Sequence, residues 1–176
     1  EIIQQQGDVA LLDVGMDFAF NLLNPMVTNW IAEKEMRFAD VVNTTTQKQL
    51  RVALIEGIQE GENIESLKKR VQGVFEGTVR GSAWRSRLIA RTEVIGSFNF
   101  ASLQGYQQSG VVTQKEWLTA LDERVRQSHR DANGQIRKLD EPFDVGGSPL
   151  MFPGDGEHGS MVEVINCRCT LLPLLE

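Results

Sequence analysis

The side chains best suited to chemistry are His129, Cys167 and Cys169: one imidazole, and two thiols separated by a single residue. Neutral imidazole and thiolate are the usual ligands of a zinc ion, and Asp122 or the second histidine, His158, could complete a tetrahedron. A Cys-x-Cys pair is a much poorer zinc signal than paired Cys-x-x-Cys. The alternative is two small half-buried residues beside a hydrogen-bonded histidine. A disulfide between Cys167 and Cys169 is excluded, because neighbours two apart on a strand lack the bonding geometry. A second chemistry uses Glu93, Asp122 and His129, which are the residue types of a metal-dependent nuclease, carboxylates around a divalent ion with a histidine base. Their spacing is not diagnostic. Each carboxylate has a competing job, Asp122 as a helix cap and Glu93 as one half of an internal ion pair.

Arginine is the natural partner for such carboxylates, because its planar fork binds them bidentately. Arg91, Arg124 and Arg168 are therefore expected to form structural ion pairs, with Glu93, Asp122 and Asp155 as acceptors. A different role fits the run from Lys68 to Arg91, where Lys68, Lys69, Arg70, Arg80, Arg85, Arg87 and Arg91 face the single acid Glu76. A local basic stripe can hold DNA phosphates even in an acidic chain, although a solvated helix face explains the same pattern.

Helices must position most of these groups. The segments Val9 to Leu23 and Val27 to Val42 favour helix, parted at Asn24-Pro25, and Leu50, Leu54 and Ile58 form a further stripe closed by Gly61. Asn63 is placed to cap a helix whose apolar residues are Ile64, Leu67, Val71, Val74 and Phe75. Trp84 to Gln107 reads as a long helix ended by Gly110, with Glu93 on its apolar side. After Gly110 the pattern becomes that of a strand, Val111 to Ala120, carrying Trp117. Asp122 is expected to cap a short helix through Arg130, Asn133-Gly134 marks a turn, and residues 140–159 form a Pro/Gly-rich ordered loop. Met161 to Leu172 reads as a closing strand that points Cys167 and Cys169 the same way. The expected fold class is α+β: a helical arm over residues 1–80, then a small mixed domain over 81–176 with a short β-sheet.

Composition bounds the rest. With 176 residues, 41% hydrophobic and a net charge of -6, the chain can bury a core and is not basic overall. No apolar run approaches the roughly 20 residues of a membrane-spanning helix. No phosphate-binding glycine loop, nucleophile elbow or zinc-protease helix is present. The chain opens at Glu1 without methionine, as expected of a piece of a longer polypeptide.

In order, Ala90-Arg91-Thr92-Glu93 with Asn99, Trp117 on its strand, Asp122-x-Arg124 with His129, Pro153-Gly154-Asp155 and Asn166-Cys167-Arg168-Cys169 resemble the C-terminal domain of the Mu F-like head-morphogenesis family of tailed phages. The resemblance covers about the second half of the chain. It implies a minor head component in the virion, inside the procapsid near the portal, assembled in the host cytoplasm. Portal and capsid proteins would be its partners, in a homo-oligomeric arrangement, either as a free protein or as an extension of the portal protein. It further implies roles in head assembly, DNA packaging or ejection, and no settled catalytic activity. A nuclease or other effector domain is the competing reading.

Overall fold

The computed structural model describes residues 2–13, 15, 21, 24–26, 44–75 and 83–175. Its elements are α1 (Ile2–Asp13), α2 (Thr44–Gln59), α3 (Ile64–Val74), α4 (Ala83–Ser109), β1 (Val112–Leu118), α5 (Gln127–Ala132), β2 (Ile136–Lys138), β3 (Phe143–Val145), β4 (Ser148–Leu150), α6 (Met161–Val164) and β5 (Thr170–Leu175). The class is α+β, helices first and small antiparallel sheets after. The expected helix from Val27 to Val42 lies outside the described residues, as do Arg80 and the side chain of Arg85.

The central element is α4, which carries two cores. Its first turns bring Ile89 and Ala90 against Leu50 and Leu54 of α2 and Leu67, Val71 and Phe75 of the α3 hairpin. The spacing of these residues matches one helical face each, and Asn63 Oδ1 caps α3 by accepting from Ser66 N at 3.0 Å. The later turns of α4 pack Phe100, Leu103 and Tyr106 into the main core, which also holds Ala10 and Leu11 of α1. Helix α4 ends where Ser109 Oγ takes up the N–H groups of Val111 and Val112 and Gly110 turns at φ 68°.

The sheet order is β2-β1-β5, all antiparallel, with Trp117 opposite Leu171 and Lys115 opposite Pro173. Trp117 and Lys115 point inward from β1 and are fully buried. The Asn133-Gly134 turn falls where expected, and Asn133 Oδ1 accepts from Thr119 N at 2.9 Å.

The second half departs from the sequence reading at three places. The Pro/Gly loop contains a hairpin, β3–β4, turning at Gly146-Gly147 and burying Phe143, Val145 and Leu150. Strands of three residues, one containing Pro149, are too short for alternation to reveal. Asp122 does not cap α5: its Oδ1 accepts from Arg124 N at 2.9 Å in a local turn, and the helix starts only after Arg126. The run from Met161 is not one strand. Ser160 starts the single-turn helix α6, Asn166 reverses the chain at φ 55°, and β5 begins at Thr170. Of the β-branched residues there, Val164 is buried while Val162 is exposed, so packing of the α6 turn overrides their strand preference.

Candidate metal centre

His129 projects from α5, and Cys167 and Cys169 flank Arg168 between the Asn166 reversal and β5. All three side chains are buried. Their convergence comes from the tight turn at 164–167, where Cys167 N donates to Val164 O, and not from the two-residue period of a strand. His129 Nδ1 lies 3.2 Å from Cys169 Sγ and 3.8 Å from Cys167 Sγ. Zinc bonds of about 2.3 Å to sulfur and 2.0–2.1 Å to nitrogen, at a tetrahedral angle, put nitrogen and sulfur about 3.5 Å apart. The observed pair of distances brackets that value. Ligand atoms of all three residues fall within 4.8 Å of one another, so the group could bind a metal ion.

The protonation of the thiols suits this. Cys167 is drawn down to about 5 by the hydrogen bond from the Cys169 thiol, with His129 adding to the effect against the cost of burial. Cys169 is pushed far up, because its thiol hydrogen-bonds to the Cys167 sulfur and is itself buried. A metal ion would displace the thiol protons on binding.

Glu163, on α6, supplies a supporting carboxylate. Its Oε2 stands 3.1 Å from His129 Nε2, at an angle short of a proper hydrogen bond, and accepts from Ser128 Oγ at 2.7 Å. An imidazole that binds metal through Nδ1 ordinarily presents its other N–H to such a carboxylate. Gly146 makes room for it: a Cβ there would sit 2.7 Å from Glu163 Oε1. Trp117 stacks edge-on to His129 with ring centres 5.6 Å apart, walling the group off from solvent.

The other anticipated residues fall elsewhere. Asp122 is not a member of the group; its Oδ2 is held by Arg168 Nη2 at 2.5 Å. His158 is half-exposed and pairs with Asp155 at 2.8 Å. Among the described residues the group has three donors, not four. Glu93 is buried on α4, whereas the carboxylate beside His129 is Glu163. Of the expected structural ion pairs, Arg168 with Asp122 is present. Arg91 instead donates to the Asn166 side-chain oxygen at 3.2 Å, an amide rather than a carboxylate. In the basic stripe, Lys68 is paired with Glu65 at 2.5 Å, Arg70 with Glu56, Glu60 and Glu62, and Arg87 with Glu65 at 3.2 Å. Lys69 is exposed. The glutamates come from α2, α3 and the turn between them, so counting acids only from Lys68 onward overstated the positive charge.

These pairings tie the sequence motifs to one another. Arg91 and Thr92 grip Asn166, the threonine Oγ1 accepting from Asn166 N at 2.8 Å. Asn99 donates to Pro153 O and Cys169 O, both at 3.1 Å, and accepts from Leu171 N at 3.2 Å. Gly96 of α4 meets Gly154 of the loop, whose φ of +84° favours glycine, so closely that a Cβ on Gly96 would lie 2.9 Å from Gly154 O. Asp155 holds its own loop through Met151 N and Glu157 N.

Comparison with known proteins follows the same residues. A family model described as Phage Mu protein F like protein matches residues 48–172, which takes in every one of these interlocking motifs. The chain belongs to this Mu F-like family. It is 27% identical over 159 residues to the minor head protein GP7 of Bacillus phage SPP1, covering 78% of this chain and 50% of that protein. It is 25% identical over 180 residues to YqbB of Bacillus subtilis (strain 168), covering 100% of this chain and 57% of that protein. The protein MJ0329 of Methanocaldococcus jannaschii is 31% identical over 140 residues, or 80% of this chain and 19% of its own length. The Mu F-like chain thus spans about half the length of the first two relatives. No solved structure matches it. Among the described residues, no helix is long and apolar enough to cross a membrane.

Sequence reasoning missed Glu163, Asn99's bridging role and Lys115. The signal available for Glu163 was a lone acid in an apolar run, Met161 to Ile165, which argues for a buried partner.

Proposed function

We propose that this Mu F-like chain is a structural minor head component of a tailed phage or prophage, positioned near the portal and supporting head assembly and DNA packaging or ejection. Portal and capsid subunits are its partners, and it is present in the virion as a homo-oligomer. A zinc ion held by His129, Cys167 and Cys169 is part of the reading: it would fix the closing segment to α5, with Glu163 orienting the imidazole.

The observation that carries a structural rather than an enzymatic role is where the motif residues spend their hydrogen bonds. Thr92, Asn99, Asp122 and Arg168 each hold another segment of the same chain. A catalytic constellation would leave such groups aimed at a cleft. Membership of a family that includes a minor head protein agrees with this.

The test is a deletion in the phage that encodes the protein, complemented in trans. Heads lacking it should lose infectivity or DNA content, and complementation should return the protein to purified heads. Undiminished titre and DNA content without it would refute the head role. Elemental analysis of the purified protein tests the zinc separately: one zinc per chain is expected, and its absence from protein prepared without chelator would remove the ion from the account.

A further inference from the structure

Four guanidinium groups gather on the face of the molecule beside the metal-ligand group. Arg87 and Arg91 of α4, Arg124 of the turn before α5, Leu88 and Asn166 line a concavity of about 210 Å³. Arg168 stands beside it and, with Arg87 and Arg124, acts on Arg91 electrostatically. Two of the four are neutralised, Arg87 by Glu65 at 3.2 Å and Arg168 by Asp122 at 2.5 Å. Arg124 has no carboxylate partner among the described residues, and Arg91 meets only the amide oxygen of Asn166, at 3.2 Å. Burial and then the neighbouring arginines lower the pKa of Arg91.

Repulsion of this kind is costly inside a concavity unless an anion relieves it. The volume equals about seven waters at about 30 Å³ each, ample for a phosphate group between the guanidinium forks. The backbone around the concavity is also held out of its ordinary range. The two non-glycine residues with positive φ among the described residues are Leu121, at φ 50°, and Asn166, at φ 55°. One begins the turn that carries Arg124, and the other lines the concavity. Such strain persists where the surrounding structure enforces it, often at ligand sites.

We propose that Arg87, Arg91 and Arg124, with the Asn166 side chain, form a binding site for a phosphate group. The site is distinct from Lys68 and Arg70 of the basic stripe, whose charges are met by glutamates, and it does not depend on the head role. A phosphodiester of DNA and a free phosphate or pyrophosphate share the chemistry it recognises.

Titration calorimetry on the purified protein, with inorganic phosphate, with pyrophosphate and with a short single-stranded oligonucleotide, tests this at low and moderate salt. Pyrophosphate or oligonucleotide should bind the wild type, and Arg124→Gln should weaken that binding at least ten-fold. Arg124 is exposed and its side chain holds no other segment, so the variant should fold; Arg91→Lys, which keeps the charge but loses the fork, gives a second reading. Lys138→Gln, an exposed charge on β2, should leave binding unchanged. Oligonucleotide binding that Arg124→Gln weakens would identify DNA as the source of the phosphate; pyrophosphate binding alone would identify a small phosphorylated ligand. The proposal falls if the folded wild type binds none of the three. It also falls if Arg124→Gln costs no more than Lys138→Gln.

Discussion

Replacing Asn99 with alanine should be among the most damaging single changes this domain can suffer. The side chain is fully buried, and its amide serves three groups on two other segments at once: Pro153 O, Cys169 O and Leu171 N, besides Ile95 O one turn back. Truncation leaves the first three groups buried without that partner. Each orphaned group costs about 1–3 kcal/mol, but water entering the space left behind would satisfy part of the demand, so the total is about 3–5 kcal/mol. Domains of this size have only about 5–15 kcal/mol in all. Urea unfolding followed by circular dichroism measures the loss. With a slope of about 2 kcal/mol/M, the midpoint should fall by about 2 M. Lys69→Ala, on an exposed surface, should stay within about 0.5 kcal/mol and serves as the control. A loss below about 1 kcal/mol for Asn99→Ala would refute the view that this one amide ties the loop and the last strand to α4.

Glu163→Gln should lower zinc affinity about 10- to 100-fold while leaving the fold intact, read by competition with a chromogenic chelator; equal affinity would remove Glu163 from the supporting shell. Gly96→Ala should destabilise by about 1–3 kcal/mol, because the new methyl meets the Gly154 carbonyl at 2.9 Å and backbone must move; unfolding by heat or urea measures it, and an unchanged midpoint would show that the helix and loop are not in contact. Lys115 is buried in β1, donating to Leu139 O at 3.0 Å and Met151 O at 2.8 Å, and burial depresses its pKa from 10.5 to about 8. Between those two values the unfolded chain still holds the proton that the native state has released. Stability should therefore rise with pH across that window, by a gain on the order of 3 kcal/mol, and the rise should shrink in Lys115→Met. A wild-type profile that is flat or falling there would contradict the burial.

Much of the helical half was legible because its signals are local. Asn63, Leu67 and Val71 announce a cap and a face in consecutive turns, and Ser109-Gly110 marks where α4 stops. Thr92, Asn99 and Asp155 gave no such signal, since their partners lie far off in the chain or in an irregular loop. The gathering of His129 with Cys167 and Cys169 was anticipated from residue type, yet for a wrong geometric reason. A cap at Asp122 and a strand through Cys167 are both plausible from spacing alone. The structure instead uses the Arg168–Asp122 pair, which residue type had suggested, and the left-handed Asn166, which cannot be inferred without knowing which segments meet. Likewise, the β3–β4 hairpin is too short for periodicity to register, so its turn glycines were the sole clue.

The Asn99 clasp also bears on how the chain is made. Its bonds to Pro153, Cys169 and Leu171 span 54, 70 and 72 positions. A ribosome adding about 5–20 residues each second needs on the order of 4–14 seconds after making Asn99 to produce the last of those partners. Throughout that interval the helix can form but its polar and glycine-lined face has nothing to hold. When Cys167 and Cys169 do emerge, their thiols are exposed until the segment docks. The hazards for this fold thus lie in the nascent chain, as aggregation of α4 and oxidation of unprotected thiols. Slower elongation before residue 166 would lengthen the first, and a reducing, metal-replete cytosol would shorten the second.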